Sequence, residues 1–255
     1  MNYNKSLPTK LVVLTIPFLL FFSCKKHFTV KSNEYKQYGI NNEVGQDSSL
    51  IKYYTPYKAK MESEMSRVVG QASGDLIKSS DPETALGNFY ADAVLAEALK
   101  IDPSIEFSFP TTKGGIRNSI HKGDIKVSDV FELMPFDNEM VILKLSGQSV
   151  QKVLDFLASS NGQPVSGIRM KVENKKAVEV TIAGKPFDVS REYTIVTSDY
   201  IANNGDDQSS LANPLERRNA GKLIRNALMD YIGEQTKNGK KIIPVTDGRI
   251  IVENE

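Results

Sequence analysis

The sequence predicts a mixed α/β (α+β) domain in which helices cover the faces of mixed sheets. Helical and strand-like apolar patterns are interspersed along the chain, and strand pairs joined by short turns are concentrated in its second half. The size agrees with this class, because 255 residues with 40% hydrophobic and 25% charged residues suit one domain with a sizeable core. We find no internal repeat and predict no second domain.

Residues 1–23 have the pattern of a bacterial export signal. Lys5 and Lys10 precede the apolar stretch 11–22, which is too short to span a membrane because a span needs about 20 residues. Cys24, the only cysteine, follows Ser23, so the segment resembles a lipoprotein signal, which implies cleavage before Cys24 and lipidation of that residue. The alternative is an ordinary signal peptide followed by an incidental cysteine. We expect an exported, membrane-anchored lipoprotein of a Gram-negative-type bacterium that faces the periplasm.

Residues 24–49 contain few core-forming side chains and are predicted to be a flexible tether, so we expect the folded domain over residues 50–255. A single cysteine excludes an internal disulfide, and the fold therefore has to rest on its core. The net charge of +1 leaves no broad basic surface, which argues against a nucleic-acid partner.

The folded part begins with a short helix predicted over 56–66 and a strand over 67–72. The next helix carries the clearest signals in the chain. Asp81 can cap it, Pro82 fits its first turn, and Glu83 suits the positive end of the helix dipole. Its apolar face has helical spacing and consists of Leu86, Phe89, Tyr90, Ala93, Val94 and Leu99.

The remaining elements follow from the same periodicities. Alternation predicts strands, and amphipathic spacing predicts helices. Turn residues at 146–147, 174–175 and 184–185 separate several of them, and Asp247-Gly248 predicts a hairpin turn. The predicted strands are 107–109, 140–145, 169–172, 177–182, 193–198 and a terminal hairpin of 242–245 with 249–252; the predicted helices are 127–134, 148–158 and 219–235.

A candidate ligand site follows the strand at 107–109. Gly114 and Gly115 would let the backbone approach a ligand or take a positive φ. They also fix the place of Arg117, whose forked guanidinium suits phosphate or ribose oxygens. The alternative is a tight turn that carries a solvated arginine.

Two aromatic residues could complete this site. Phe136 follows Pro135 between a helix and a strand, and Tyr200 begins a polar loop, so each ring could stack on a base. Asp206, in the same loop as Tyr200, could accept hydrogen bonds from ribose hydroxyls. The alternatives are a core phenylalanine at a helix–strand corner and a loop in which Asn and Asp side chains stabilise turns.

The sequence contains few residues suited to chemistry. His27 lies in the predicted tether and leaves only His121 for the fold, whereas a two-metal phosphoesterase needs a cluster of His, Asp and Asn ligands. We find no Gly-x-Ser-x-Gly motif and no Cys–His nucleophile. Asn88 and Asp92 are interpreted as scaffold residues that bond to backbone loops. A pair of carboxylates acting as acid and base stays open. We therefore expect no catalytic residue, metal site or cofactor in this chain itself.

Taken in order, these segments resemble the C-terminal domain of the 5'-nucleotidase family, which includes UDP-sugar hydrolases, over roughly residues 68–252. The matching segments are Glu83 with 86–88 and 92–93, 114–117, 123–125 with Val130, 135–138, 145–147, and Tyr193 with 199–202 and 205–206. The resemblance implies a layered sandwich of mixed sheets covered by helices that binds the nucleoside part of a nucleotide.

Residue roles follow from the same resemblance. It implies that Arg117 is a substrate arginine, that Phe136 and Tyr200 are base-stacking plates, that Asp206 is a ribose partner, and that Gly114 and Gly115 line the site. Several positions depart from the family pattern: Thr112 replaces a ligand-binding Asn, Lys113 replaces a glycine, and Pro82 stands where an arginine is expected. Tyr200 replaces the more usual Phe, and the family's Gly-Gly-Asp-Gly appears here as residues 204–207, Asn-Gly-Asp-Asp. If the Lys113 side chain filled the site, the site would be vestigial.

In that family a separate N-terminal metallophosphatase domain carries the two metals and the catalytic His–Asp pair. The resemblance therefore implies the nucleotide-binding half of a split 5'-nucleotidase, which would work with a separately encoded metallophosphatase that holds the divalent metals and would not be catalytic alone. Two alternatives stay open: a stand-alone lipoprotein that binds nucleosides or nucleotides, and a vestigial structural or interaction module.

Overall fold

The computed structural model describes residues 32–39, 41 and 45–253. The predicted export signal and Cys24 lie outside the described residues. The chain divides into a unit of residues 1–51 and a unit of residues 52–255. In the first unit, the described residues before Ser48 are exposed and form no helix or strand. Among the described helices, none is both long and apolar enough to cross a membrane.

Helix α1 (Ser48–Met65) begins earlier than the predicted 56–66 and contains Pro56. Its start is set by Asp47, whose carboxylate accepts hydrogen bonds from the backbone N–H groups of Ser49 (2.9 Å) and Leu50 (3.2 Å). Such a cap satisfies N–H groups that have no partner inside the helix. No described residue of α1 is buried.

A central four-stranded sheet organises the second unit. Its order is β2 (Phe107–Phe109), β8 (Glu192–Ser198), β4 (Glu139–Ser146) and β9 (Glu216–Leu223). Strand β2 runs parallel to β8, and the other pairs are antiparallel, so the sheet is mixed. Both faces of β4 are covered, because Met140 and Ile142 belong to one core cluster and Val141 and Leu143 to the other. Burial on both faces explains why this strand reads as a continuous apolar run.

Helices and a second sheet cover the two faces. On one side lie helices α2 (Ala85–Leu99), α3 (Val127–Leu133) and α6 (Ile224–Lys237), with the antiparallel pair β1 (Val68–Ala72) and β3 (Gly123–Lys126). On the other side lie helix α4 (Gly147–Ser159), the short helix α5 (Asp199–Ala202) and a sheet of order β10 (Ile250–Glu253), β5 (Ile168–Glu173), β6 (Lys176–Ile182) and β7 (Lys185–Pro186). The predicted mixed α/β sandwich of mixed sheets is thus confirmed.

The start of α2 differs from the prediction. The helix begins at Ala85, and its cap is Thr84, whose Oγ1 accepts a hydrogen bond from the Gly87 N–H at 2.9 Å. Asp81 is not the cap, because its carboxylate instead accepts a hydrogen bond from the Ser79 hydroxyl (2.6 Å). Several residues before this helix could cap it, and the backbone conformation selects Thr84.

The C-terminal elements also differ. The predicted helix 219–235 begins only at Ile224, because the preceding residues pair with β4 as strand β9. The predicted hairpin of 242–245 with 249–252 is wrong. Strand β10 instead pairs in parallel with β5, and Ile242 makes a single bridge to Ala72. Arg249 holds the start of β10 in this position, because its guanidinium donates hydrogen bonds to the Asp92 carboxylate and the Val165 carbonyl.

Candidate functional site

A cavity of about 170 Å³ lies at one edge of the central sheet. The parallel strands β2 and β8 both end at this edge, and the antiparallel strand β4 begins there. Three segments that are distant in sequence therefore meet, as is common for ligand sites at the carboxyl ends of strands. The residues predicted to bind substrate all line the cavity, together with three others: Gly114, Gly115, Arg117, Phe136, Tyr200 and Asp206, with Thr111, Met134 and Asn138.

Neither glycine has a positive φ, so unusual backbone angles do not explain them. Their role is instead to leave space for neighbouring atoms and for a ligand. A Cβ atom on Gly115 would lie 2.0 Å from Thr111 Oγ1, so this position has no room for a side chain. A Cβ on Gly114 would meet only Thr112 Oγ1, at 3.5 Å. The Gly114 backbone is thus open to the cavity, while Gly115 lets the turn close.

Arg117 presents an exposed guanidinium beside the Phe136 ring. Its backbone N–H donates to the Leu133 carbonyl at 3.0 Å, which ties the glycine turn to the end of α3. Its Nη1 donates a long hydrogen bond (3.4 Å) to the Gly114 carbonyl, and its Cζ lies 5.8 Å from the centroid of the Phe136 ring. Within the described part of the chain, Arg117 forms no ion pair with a carboxylate, so its charge is available to an anionic ligand.

The Phe136 ring is 39% exposed, so it is not a core residue of the helix–strand corner. The Tyr200 ring is 48% exposed and faces the same cavity. A Cβ atom on Gly205 would lie 2.5 Å from two carbons of the Tyr200 ring, so a side chain at 205 would displace this ring. Two exposed aromatic faces at one cavity are an arrangement suited to a planar ligand.

Asp206 holds the Tyr200 side chain in place. The Tyr200 hydroxyl donates to Asp206 Oδ1 at 2.9 Å, and this hydrogen bond raises the pKa of Tyr200. The Thr112 hydroxyl donates to the other oxygen, Oδ2, at 2.5 Å. Each carboxylate oxygen has two lone pairs, so Asp206 retains capacity for a further donor such as a ribose hydroxyl. Thr112 therefore contributes to the site indirectly, through Asp206.

Lys113 does not fill the cavity. Its Nζ donates to the carbonyls of Ser80 (3.1 Å) and Asn161 (2.8 Å), and its backbone N–H donates to the Gln163 side chain. Burial lowers the pKa of Lys113. The Lys113 side chain thus links the glycine turn to the neighbouring loops that contain Ser80 and Asn161, and it leaves the ligand cavity open.

Sequence reasoning missed several contributors. Thr111 and Met134 line the cavity without any motif that marks them, whereas Asn138 belongs to the segment 135–138 that was singled out for its phenylalanine. Arg225 bonds to the backbone of this segment from α6, 89 residues away from Phe136, and no local pattern links the two.

The described residues contain no group of three or more His, Cys, Asp or Glu side chains that could hold a metal ion. His121 is exposed beside Asp75. Asn88 donates to Glu83 and to the Val245 carbonyl, and Asp92 pairs with Arg249, which agrees with their interpretation as scaffold residues. The donor set of the described residues thus does not fit a metal site.

Comparisons with known proteins agree with this architecture. The model of the family described as "5'-nucleotidase, C-terminal domain" matches residues 68–213. A 5'-nucleotidase of Vibrio parahaemolyticus is 28% identical over 226 residues, which are 84% of this chain and 39% of that protein. An apyrase of Aedes aegypti is 29% identical over 235 residues, 84% of this chain and 41% of the apyrase.

Among solved structures, the crystal structure of a 5'-nucleotidase precursor from Thermus thermophilus superposes with a TM-score of 0.67 at 28% identity. The match covers 81% of this chain and 43% of that one. The chain thus spans about two-fifths of the length of these relatives.

Proposed function

Because the chain belongs to the family of the 5'-nucleotidase C-terminal domain, whose members act in nucleotide catabolism, we propose that it binds the nucleoside part of a nucleotide. We further propose that a separate metallophosphatase supplies the divalent metals and cleaves the phosphate ester. The observation that carries this proposal is a single cavity that contains two exposed rings, one carboxylate and one guanidinium that pairs with no carboxylate of the described residues.

The aromatic pair supports binding of a base. Stacking of one base on an aromatic side chain contributes about 1–3 kcal/mol and tolerates different bases. The volume supports the same assignment, because an apolar cavity of about 150 Å³ can hold benzene. A cavity of about 170 Å³ thus has room for one planar ring system, and the sugar and phosphate would extend from its mouth.

The polar residues suit the rest of the ligand. Arg117 would bind phosphate or ribose oxygens by charge-assisted hydrogen bonds. Asp206 would accept a hydrogen bond from a ribose hydroxyl while it keeps Tyr200 in place. The Asn138 amide, which has both a donor and an acceptor, suits the edge of a base.

In this proposal a second protein binds the divalent metals and carries out every step at the phosphate. We propose that this chain is exported, lipidated at Cys24 and held at a membrane facing the periplasm, with the metallophosphatase anchored in the same way. Shared anchoring would raise the effective concentration of the two halves, so that a weak interface would suffice.

Mixing the purified halves tests this arrangement. We expect the metallophosphatase to hydrolyse nucleoside monophosphates faster with the wild-type chain than alone, because the chain presents the base in a fixed place. The chain with Phe136→Ala is the control and should give a smaller increase. Equal rates with and without the wild-type chain would refute the split arrangement.

A second candidate function is supported by the residues that line the cavity, because this chain supplies two exposed rings, a guanidinium and a carboxylate for binding. The protein would then be a stand-alone lipoprotein that binds nucleosides or nucleotides without catalysis. Titration calorimetry of the isolated chain with adenosine and uridine tests it: binding that Phe136→Ala abolishes, combined with no effect on the metallophosphatase, favours this function. Absence of binding and of stimulation together would favour the third alternative, a structural or interaction module.

A further inference from the structure

Arg225 is a buried charged residue whose contacts converge on the loop that carries Phe136. It lies in the first turn of α6 and is only 7% exposed. Its Nη1 donates to the carbonyls of Met134 (3.3 Å) and Phe136 (3.1 Å), and its Nη2 pairs with Asp137 Oδ1. Its Cζ lies 4.0 Å from the centroid of the Phe131 ring, on α3.

These contacts fix a loop that lies outside the helices and strands. Met134 to Asp137 lie between α3 and β4 and belong to neither, so their carbonyl groups have no strand partner. Polar backbone groups near the interior need hydrogen bonds, and here a guanidinium provides two of them. The Phe131 ring packs against the guanidinium, which restricts its position further.

We propose that Arg225 is the positioning residue for the Phe136 ring. It does not line the cavity, but its fork holds the backbone on both sides of Pro135 and thereby keeps the ring at the cavity wall. A lysine cannot replace it, because a single ammonium lacks the planar fork that reaches two carbonyls and a carboxylate together. The effect on ligand affinity rests on the proposed function, whereas the effect on the ring does not.

The chain contains no tryptophan, so Phe136→Trp places a unique fluorescent reporter at this position. Arg225→Lys is then compared with Arg191→Lys in this background. Arg191 is a matched control, since it pairs with Glu106 (2.9 Å) and its Cζ lies 4.9 Å from the Tyr193 ring centroid, outside the cavity lining. Circular dichroism and thermal unfolding establish that each variant is folded.

Without ligand, we expect Arg225→Lys to lower the fluorescence anisotropy of the reporter and to increase its quenching by acrylamide, whereas Arg191→Lys leaves both unchanged. In the Phe136 background, calorimetry with adenosine should show roughly tenfold weaker binding for Arg225→Lys, as expected for lost hydrogen bonds to a charged group. A folded Arg225→Lys variant with the anisotropy, quenching and affinity of the Arg191→Lys control would overturn the proposal.

Asp137→Asn provides a second variant if Arg225→Lys does not fold. The Asp137 side chain is 79% exposed, so its replacement removes the ion pair without opening the core. We expect changes in the same direction but smaller, and unchanged anisotropy and quenching would then overturn the proposal. If the reporter loosens but neither the wild type nor any variant binds adenosine or uridine, the positioning role stands and the proposed function fails.

Discussion

The two glycines of the candidate site are adjacent but have different surroundings. A methyl group on Gly115 would collide with Thr111 Oγ1, which donates a hydrogen bond to the Thr112 carbonyl (3.2 Å). A methyl group on Gly114 would lie 3.5 Å from Thr112 Oγ1, an ordinary van der Waals distance. We expect Gly115→Ala to lower the free energy of unfolding by about 1–3 kcal/mol through overpacking. Gly114→Ala should change it by less than about 0.5 kcal/mol. Urea unfolding of both variants measures the difference, and equal losses would contradict it.

Tyr90 has a hydroxyl group that lacks a hydrogen-bond partner among the described residues, although the side chain is fully buried. Burial raises the pKa of Tyr90, so the hydroxyl is neutral near pH 7. Removing an unsatisfied buried group relieves a desolvation cost, and Tyr90→Phe should leave the free energy of unfolding unchanged or raise it by up to about 1 kcal/mol.

Tyr193→Phe is the matched control for this substitution. The Tyr193 hydroxyl accepts a hydrogen bond from the Asp188 N–H (2.8 Å) and donates one to the Asp188 carbonyl (3.0 Å). Its loss should cost about 1–2 kcal/mol in the same urea experiment. A Tyr90→Phe variant as unstable as Tyr193→Phe would show that the Tyr90 hydroxyl has a partner after all.

The Tyr200 side chain offers a ring face to the ligand and a hydroxyl group that is hydrogen-bonded to Asp206. Two substitutions separate these roles. Tyr200→Ala removes the ring and should weaken nucleoside binding by about 1–3 kcal/mol, the usual contribution of one stacked base. Tyr200→Phe keeps the ring and loses only the hydrogen bond to Asp206, so a smaller loss is expected. Calorimetry with adenosine checks the order, and equal losses would mean that the ring face is not the contact.

Among the elements, α2 allows a direct test of which residue caps it. Thr84→Ala removes the oxygen that accepts the Gly87 N–H and should lower the free energy of unfolding by about 1 kcal/mol. Asp81→Ala, at the cap that the sequence favours, should cost less than about 0.5 kcal/mol because Asp81 is exposed and outside the helix. The reverse order in thermal unfolding would support the sequence-based start.

Helices and strands whose apolar residues recur at regular spacing were predictable from the sequence. Strands whose position depends on pairing with a distant segment were not. Strand β4 and helix α4 carry their own patterns and lie where they were predicted. Strand β9 is largely polar and exposed, so its extended state comes from pairing with β4 rather than from its own composition. Strand β10 was recognised as a strand, but its partner depends on the contacts of Arg249.

At the scale of the whole molecule, the residues that line the candidate site were easier to predict than the residues that hold them in place. Arg117, Phe136 and Tyr200 stand beside short motifs, and the edge of the central sheet brings these motifs together. Thr112 and Arg225 act through other residues, and such a role depends on distances that no sequence period encodes.

The proposed lipid anchor, which lies outside the described residues, gives a prediction for the whole protein. Cys24→Ser removes the thiol that would be lipidated, so the variant should move from the membrane fraction to the soluble fraction of the cell. Detergent phase partitioning and the mass of the mature N-terminus measure the change. A Cys24→Ser protein that stays with membranes would contradict lipidation, and an unaltered nucleoside affinity is expected because the cavity is distant in sequence.

The position of the cavity at the meeting point of β2, β4 and β8 has a consequence for how the protein opens. Its walls exist only while all three strands are paired, so any fluctuation that detaches one of them also removes the ligand site. A ligand that binds only the intact form should suppress such openings in proportion to its saturation. Hydrogen exchange of the amides in these strands would then slow together when nucleoside is added, and the ligand would report on the integrity of the sheet as a whole.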